Sequence, residues 1–375
     1  VKNAKIIGQG WHNRAGEPHA EVEAIRDAHE RDHSTKGATL YVTLEPCSTH
    51  GRTPPCTDAI KAAGIRRVVV GATDPNPKHR GRAFKILKRA GIAVTTLSDL
   101  ARWGEAAVEP RSGSRGRSPH QKLADDCARL NEAFNHWIVH RTPFVMVKAA
   151  MTLDGKIATA SGESKWITGE KARAFAMKLR QGADAILVGV NTILTDDPSL
   201  TSRARNAERG MRDDGNPLRR IVLDAMARTP LNANVVNDEH AALTTIVVGK
   251  VAPKKRVAAL ARRVKVITAP TVKSKIENRK SKIDLRWLLK KLGRENVTSL
   301  LVEGGGEANA SFLLGGFAQR VTFFYAPKIL GGRDARKAVA GEGVQRLDEI
   351  IQLHEVEWRR FGPDLLLTAR VGPAS

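Results

Sequence analysis

Short apolar runs with a period of two alternate along this chain with longer stretches of helical period, and this alternation predicts an α/β protein. Val22, Ile25 and Ala28 recur at helical spacing and predict a helix over residues 19–30. The order strand, helix, strand predicts a sheet with helices on both faces. In the first hundred residues the predicted strands are 5–11, 39–44, 66–71 and 92–96, and the other predicted helices are 56–64 and 84–89.

The pattern breaks down after residue 100 and returns as a second α/β stretch. Residues 111–120 are mainly Ser, Gly and Arg, which have nothing to bury and are typical of a flexible insertion. A helix is predicted over residues 123–138. We therefore expect a first domain over 1–99, an insertion with a connecting helix over 100–142, and a second domain over 143–375. The strands predicted in the second domain are 144–150, 185–190, 220–223, 245–248, 264–268 and 299–302.

Length and composition agree with two soluble domains. A chain of 375 residues, 41% hydrophobic and 27% charged, is long enough for two cores. No apolar run approaches the roughly 20 residues that cross a bilayer, and no signal peptide is recognisable. Three cysteines make no disulfide framework, which favours a cytoplasmic location. Cys127 falls in a helical pattern, where a small buried residue is the simplest interpretation.

The net charge of +23 has two interpretations. A basic surface can neutralise the phosphates of a nucleic acid, or it can accompany a small phosphorylated substrate and cofactor. Much of the positive charge falls in polar runs such as residues 254–256 and 273–282, without the interleaved aromatic residues that a single-strand binder uses. These runs favour a solvated surface and no nucleic-acid partner.

A set of metal-binding residue types lies in the first sixty residues. His19, Cys47 and Cys56 supply one imidazole and two thiols, and Glu21 adds a carboxylate. Catalytic zinc takes three protein ligands and keeps the fourth position open for water. In zinc deaminases, the glutamate of an H-x-E pattern moves protons instead of binding the metal. A closed structural zinc site is the alternative, and it would need a fourth ligand, for which His50 is the nearby candidate.

A glycine-rich turn in the second half is a candidate phosphate site. Residues 303–307, EGGGE, follow a predicted strand and precede a predicted helix. Backbone N–H groups converge at such a turn, and glycine leaves room for a phosphate to approach. Taken alone, the turn is equally compatible with a tight connection.

Three segments of the first half, HAEVEAI, TLEPCSTHGRTPPC and DPNP, resemble the deaminase half of the bifunctional riboflavin-biosynthesis deaminase/reductases. Eight residues separate Cys47 from Cys56, as in that family, whereas most zinc deaminases have two. Position 49 is Thr where the family more often has His. The resemblance implies a cytidine-deaminase-like three-layer domain with Zn²⁺ on His19, Cys47 and Cys56. The family's usual N-terminal helix and strand have no counterpart in this sequence, and we expect their lack to weaken deamination.

In the second half, DGK, SKW, NTILTDDPSLTSR, VEGGGE and KILGG occur in the order of the same family's reductase half, which has a dihydrofolate-reductase-like fold. The resemblance implies NADPH as cofactor, and paired hydrogen bonds from arginine suit the phosphate of the substrate. The residues implied to contact NADPH are Ala150, Trp166, Thr192, Asp196, Gly305 and Gly306. The residues implied to contact substrate are Ser164, Arg180, Leu200, Arg203 and Glu303.

The resemblance implies two successive reactions. The first is zinc-dependent hydrolytic deamination of 2,5-diamino-6-(5-phosphoribosylamino)pyrimidin-4-one, with Glu21 as the proton carrier. The second is NADPH-dependent reduction of the ribosyl group to ribityl phosphate. The expected partner is this small pyrimidine, without nucleic acid or membrane, and a homo-oligomer stays open. Three alternatives remain: a nucleic-acid base deaminase with an accessory domain, a chain in which only the reductase is active, and a non-catalytic paralogue that acts as a binding or regulatory module.

Overall fold

The computed structural model describes residues 1–13, 16–105, 118–202, 218–272 and 282–372, and these residues form two compact units. Unit 1 begins at Val1 and ends at His140, and unit 2 begins at Arg141 and contains the rest of the described chain. Most of the predicted flexible insertion and of the basic run 273–282 lies outside the described residues. The division into segments 1–99, 100–142 and 143–375 stays a prediction.

Unit 1 is built on three parallel strands in the order β1-β2-β3. Thr39 pairs with Arg67 and Val42 with Val70, so the strands run in register and end at a common edge. The strands are β1 (Thr39–Leu44), β2 (Arg67–Ala72) and β3 (Ala93–Thr96). The helices are α1 (Ala20–Glu30), α2 (Cys56–Ala62), α3 (Arg82–Arg89), α4 (Leu97–Glu105), α5 (Pro119–Leu130) and α6 (Glu132–His140).

Helices cover this small sheet in two groups. Helices α1, α2 and α3 contact one another in sequence, whereas α4 and α5 contact each other and β2. Ile60, Val68, Val70 and Leu87 are wholly buried where the first group meets the strands. The apolar spacing of the helices and the β-branched residues of β2 together produce this core.

The segment predicted as a strand over residues 5–11 is not one. It lies instead along α1, because Gly8 and Gly10 allow its backbone to approach Ala24 very closely. A Cβ atom at either glycine would overlap the backbone of α1. The prediction failed because the alternation of residues does not distinguish pairing with a strand from packing on a helix.

The single helix predicted over residues 123–138 is two helices, α5 and α6, which meet at Asn131. Asn131 has φ −101° and ψ 7°, and its side-chain amide donates to the carbonyl of Cys127 at 2.8 Å. Asparagine side chains that hydrogen-bond nearby backbone compete with helix continuation. This competition accounts for the break.

Unit 2 contains a nine-stranded sheet in the order β15-β16-β13-β4-β12-β6-β7-β8-β9. The seven strands from β13 to β9 are parallel, and β15 and β16 add an antiparallel edge. The sheet strands are β4 (Phe144–Thr152), β6 (Ala185–Gly189), β7 (Arg219–Leu223), β8 (Thr244–Gly249), β9 (Lys265–Ala269), β12 (Ser299–Val302), β13 (Arg320–Ala326), β15 (Leu353–Phe361) and β16 (Asp364–Val371).

Two short ribbons accompany the large sheet, β5 (Lys156–Ala158) with β14 (Arg336–Lys337), and β10 (Thr271–Val272) with β11 (Lys282–Ile283). The helices of unit 2 are α7 (Glu170–Gln181), α8 (Val190–Asp196), α9 (Asn234–Asn237), α10 (Lys254–Ala261), α11 (Leu285–Arg294) and α12 (Gly306–Leu313). Short 3₁₀ turns occur at Ala241–Leu243 and Leu347–Glu349.

Both faces of the large sheet are buried. Neighbouring residues of a strand point to opposite faces, and Ile186 and Leu187 of β6 are both wholly inaccessible. Leu187 packs into a core with Leu288 and Phe312, whereas Ile186 packs into a second core with Ile246. Strands buried on both faces are typical of parallel sheets, so the α/β fold class predicted from the sequence is confirmed.

The three C-terminal strands, β13, β15 and β16, were not predicted. Strand β15 lies at the edge of the sheet and most of its residues are half-buried or exposed, including Trp358. Because many residues of β15 are charged, its sequence lacks the regular alternation of apolar and polar residues that predicts a strand. Among the described helices, none combines the length and the apolar character needed to span a membrane.

Gly293 supplies a test of the packing in unit 2. It is buried in α11, where an added Cβ would overlap the carbonyl oxygen of Arg141. Because the obstacle is backbone, Gly293→Ala should lower the free energy of unfolding by about 3 kcal/mol, as overpacking does. Gly182→Ala is the control, since its Cβ would meet atoms only at 3.8 Å, and it should change stability by less than about 1 kcal/mol. Urea denaturation followed by circular dichroism measures both, and equal effects would contradict the packing.

Candidate active sites

The three candidate zinc ligands lie where helices begin in unit 1. His19 is the N-cap residue of α1, and Cys56 is the first residue of α2 after Pro55. Cys47 follows β1 after Glu45 and Pro46. Proline suits a position just before a helix, because its fixed φ matches the turn. Local sequence signals therefore place His19 and Cys56 at helix starts and Cys47 just after a strand.

The side chains of these residues converge. His19 Nδ1 lies 3.4 Å from Cys47 Sγ and 3.2 Å from Cys56 Sγ. One ligand atom from each residue lies within 4.8 Å of the other two. His50, the candidate fourth ligand of a closed zinc site, is exposed and is not part of this group. Among the described residues, three ligand groups converge here, which is the number that catalytic zinc takes from a protein.

The chemistry of the donors fits a divalent cation. The hydrogen bond from Cys56, together with that to His19, outweighs burial and lowers the pKa of the Cys47 thiol to about 4. The same contact with Cys47, together with burial, raises the pKa of Cys56. The hydrogen bond with Cys47 also raises the pKa of His19. One thiolate thus opposes ionisation of the other, and a metal ion removes this opposition because it attracts both.

Glu21 lies beside the cluster in the first turn of α1 and is only 8% exposed. Burial raises the pKa of its carboxyl group, although a contact with Cys56 opposes part of this rise. Glu21 is not one of the residues whose ligand atoms converge. A buried carboxyl group with a raised pKa, next to a metal site and outside its ligand set, suits proton transfer.

Glu45 is a buried residue of this site that sequence reasoning missed. Its carboxylate accepts hydrogen bonds from the backbone N–H groups of Asp74 at 3.2 Å, Gly81 at 2.9 Å and Ala83 at 3.2 Å. It therefore fixes the segment after β2 to the residue that lies two positions before Cys47. In the sequence, Glu45 stands out only as a carboxylate between a predicted strand and a proline, because its partners are 29, 36 and 38 residues away along the chain.

In unit 2 the glycine turn follows β12 as predicted. Gly305 is the N-cap residue of α12 and Gly306 is its first residue. A Cβ at Gly306 would overlap the carbonyl oxygen of Lys337, whereas one at Gly305 would meet no atom within 4 Å. Gly305 thus borders open space at a helix N-terminus, as a phosphate cradle requires.

Arg180 and Glu303, both predicted to contact substrate, are paired with each other. Arg180 Nε and Nη2 donate to the two carboxylate oxygens of Glu303 at 3.0 and 2.8 Å. Lys148, which sequence reasoning missed, lies 3.7 Å from the same carboxylate. Burial opposes the charged form of Glu303, but Lys148 and Arg180 outweigh it and hold the pKa of this carboxyl below its usual value.

Ser164 contacts Asp196, and Trp166 lies two residues further along the same loop. Ser164 Oγ donates to Asp196 Oδ1 at 2.9 Å, which connects the loop after β5 to α8. Trp166 is 67% exposed, and the guanidinium of Arg173 lies 4.6 Å from its ring centre. An exposed aromatic ring held by a cation offers a flat surface to a planar ligand.

The remaining predicted residues have different environments. Ala150 is half-buried in β4 and Thr192 is half-buried in α8. Leu200 has φ +52° and its side chain is buried in the second core, so its backbone is the part available to a ligand. Arg203 lies outside the described residues. The roles of all these residues stay predictions.

Comparison with known protein families separates the same two parts of the chain. The family described as "Cytidine and deoxycytidylate deaminase zinc-binding region" matches residues 1–72. The family described as "RibD C-terminal domain" matches residues 143–367, more than half of the chain. The first match covers the His-Cys-Cys cluster and the second covers the glycine turn.

Several relatives match along nearly the whole chain. "Riboflavin biosynthesis protein RibD" of Aquifex aeolicus is 40% identical over 367 residues, covering 98% of this chain and 89% of the relative. The protein of the same name from Actinobacillus pleuropneumoniae is 38% identical over 369 residues, covering 98% and 86%. The solved structure of Acinetobacter baumannii RibD superimposes with a TM-score of 0.76 at 30% identity, covering 100% of this chain and 91% of that one.

Fold and donor set together define a zinc-type deaminase domain joined to a reductase domain in one chain. The chain belongs to the RibD family, the bifunctional deaminase/reductases of riboflavin biosynthesis. The resemblance and the fold classes predicted from the sequence motifs are thereby confirmed.

The buried carboxylate of unit 2 predicts a pH dependence of stability. The folded pKa of Glu303 is below the value of about 4.3 for an unfolded glutamate, so the stability it contributes is present above that pH and is lost as the pH falls through the folded pKa. Glu303→Gln should therefore cost about 3 kcal/mol at pH 7, and the cost should shrink below about pH 4.

Urea unfolding of both proteins at several pH values between 7 and 3 measures this difference. Glu239→Gln is the control, because the Glu239 side chain is 86% exposed and its substitution should have little effect at any pH. A cost of Glu303→Gln that stays constant down to pH 3 would contradict the ionised pair.

Proposed function

We propose that unit 1 deaminates 2,5-diamino-6-(5-phosphoribosylamino)pyrimidin-4-one and that unit 2 reduces the ribosyl group of the product with NADPH. The observation that carries the proposal is the convergence of His19, Cys47 and Cys56 beside the buried Glu21. The solved Thermotoga maritima relative, 29% identical over 99% of this chain with a TM-score of 0.71, is named a diaminohydroxyphosphoribosylaminopyrimidine deaminase and 5-amino-6-(5-phosphoribosylamino)uracil reductase. That name supports the substrate class.

In unit 1, His19, Cys47 and Cys56 would hold one zinc ion. When bound, zinc supplies Lewis acidity that brings the pKa of water near neutrality. Glu21 accepts a proton at its carboxylate from the attacking water and returns it to the departing ammonia. Its burial supports this role, because burial raises the pKa of the Glu21 carboxyl and so favours its accepting a proton.

In unit 2, NADPH supplies the hydride, and the protein supplies position and electrostatics. We propose that Gly305 and Gly306 hold a cofactor phosphate and that the exposed ring of Trp166 borders the cofactor. Ala150, Thr192 and Asp196 complete this set by motif match. Ser164, Arg180, Glu303, the backbone at Leu200 and Arg203 are proposed to hold the phosphorylated sugar.

The cysteines and the proposed cofactor bear on the cellular compartment of the protein. None of the three cysteines, Cys47, Cys56 and Cys127, forms a disulfide. Thiolate ligands and a reduced nicotinamide cofactor both suit a reducing compartment, so we propose a cytoplasmic location. The proposed partner is the small phosphorylated pyrimidine and not a nucleic acid.

Supplying the pure pyrimidine substrate with and without NADPH tests the proposal directly. Without NADPH, mass spectrometry should detect only the deaminated product and one ammonia per substrate. With NADPH, the ribityl product should appear together with oxidised cofactor. Absence of deamination with retained reduction of the deaminated substrate would leave the reductase as the one active unit.

The ligand set predicts a selective effect of cysteine substitution. Cys56→Ser should lose zinc and deamination together, because a neutral hydroxyl replaces a thiolate ligand. Reduction of the already deaminated substrate should persist within about twofold, because no zinc ligand is proposed in unit 2. Metal analysis and the two separate assays measure these outcomes.

The matched control is Cys127→Ser. Cys127 packs against Gly71 of β2 and is not part of the converging group, so this variant should keep zinc and both activities. Full zinc occupancy in Cys56→Ser would remove Cys56 from the ligand set.

Glu21→Gln separates proton transfer from metal binding. The amide keeps the size of the carboxyl group but accepts no proton, so zinc should stay bound while the deamination rate falls by about 10²- to 10⁴-fold. Metal content and ammonia release measure the two effects. A rate within tenfold of the unchanged protein would assign proton transfer to another group.

A further inference from the structure

The loop after β7 holds one exposed arginine between two buried residues. Arg228 is exposed, whereas Ala227 and Thr229 on either side are wholly inaccessible. Asp224 Oδ2 accepts hydrogen bonds from the N–H and the hydroxyl of Thr229, both at 2.7 Å. Ala227 has φ +55°, a left-handed conformation that costs a residue with a side chain about 1 kcal/mol or more.

A second arginine, Arg256, holds the backbone of the same loop through hydrogen bonds. Arg256 Nε donates to the carbonyl of Ala227 and its Nη2 donates to the carbonyl of Thr229, both at 3.0 Å. The backbone on both sides of Arg228 is therefore anchored. Side chains on an anchored backbone lose less conformational freedom when they bind a ligand. The exposed Arg228 side chain therefore extends from a backbone that is held on both sides.

The charge of Arg228 is not matched by the residues around it. Its Nη2 donates to the side-chain oxygen of Asn191 at 2.8 Å, and this partner is a neutral amide. Within the described residues, no carboxylate forms an ion pair with Arg228. A guanidinium group has five N–H donors, so most of its donors face solvent and remain available to an anion.

The order of strands places Arg228 in line with the proposed cofactor residues. Strands β12, β6 and β7 are adjacent and parallel, so their carboxyl ends lie side by side. Gly305 follows β12, Thr192 follows β6 and Arg228 follows β7. Neighbouring strands lie about 4.8 Å apart, so the ends of β12 and β7 are about 10 Å apart. A dinucleotide whose pyrophosphate lies at the glycine turn spans that distance with its adenosine ribose.

We propose that Arg228 binds the 2′-phosphate of NADPH and thereby selects this cofactor over NADH. The proposal rests on the proposed use of a nicotinamide cofactor by unit 2. NADPH and NADH differ only in the 2′-phosphate, and an arginine near the ribose is the usual means of accommodating it. The planar guanidinium forms paired hydrogen bonds with phosphate oxygens, which lysine does not reproduce.

Binding of NADP⁺ and NAD⁺, measured by isothermal titration calorimetry without turnover, tests the proposal. Arg228→Gln should weaken NADP⁺ binding by about 10- to 100-fold, the range for a lost charge-assisted contact. Its affinity for NAD⁺ should stay within about twofold. Arg228→Lys should retain part of the preference, because it keeps the charge without the paired geometry. In kinetics, kcat/KM for NADPH should fall and that for NADH should not.

Arg262→Gln is the matched control, since Arg262 is an exposed arginine at the end of α10 and its loss changes the net charge equally. This variant should bind both cofactors like the unchanged protein. Equal losses for NADP⁺ and NAD⁺ in Arg228→Gln would mean a structural role and overturn the proposal, as would no loss for either. If the unchanged protein binds neither cofactor, the proposed function of unit 2 fails together with this inference.

Discussion

Hydrogen bonding between parallel strands forces their carboxyl ends to one edge of a sheet, and both candidate sites lie at such an edge. In unit 1, Cys47 follows β1 and the segment held by Glu45 follows β2. In unit 2, three of the residues proposed for the cofactor, Gly305, Thr192 and Arg228, follow β12, β6 and β7. Helices that begin at these edges add N–H groups and cap positions. The chain therefore uses the same geometric constraint for two different chemistries.

Each site also contains charges that burial disfavours on their own. In unit 2, Glu303 stays ionised because Arg180 and Lys148 lie beside it, so the protein itself supplies the compensating charge. In unit 1, the hydrogen bond with Cys56 favours ionisation of Cys47, and the same contact together with burial opposes ionisation of Cys56. A bound cation would supply the compensation there. The buried charge of unit 2 is thus compensated by side chains, whereas the cysteine pair of unit 1 suits a metal ion.

Local features of both sites could be predicted from the sequence, and distant contacts could not. The start of α2 at Cys56 follows from two prolines and a helical pattern, all within a few residues. The partners of Glu45 and the approach of Lys148 to Glu303 depend on strands that are distant in sequence and adjacent in the sheet. Strand β15 was missed because an exposed edge has little apolar alternation. The cluster of unit 1 was predictable because each of its residues belongs to a recognisable motif.

The hydrogen bonds of Glu45 connect the backbone beside Cys47 to the segment that follows β2. The backbone of Glu45 is two residues from Cys47, and its carboxylate holds three N–H groups of the segment between β2 and α3. That segment cannot swing away without leaving a buried carboxylate unsatisfied, which is costly. We therefore expect displacement of this segment and displacement of the backbone beside Cys47 to be coupled.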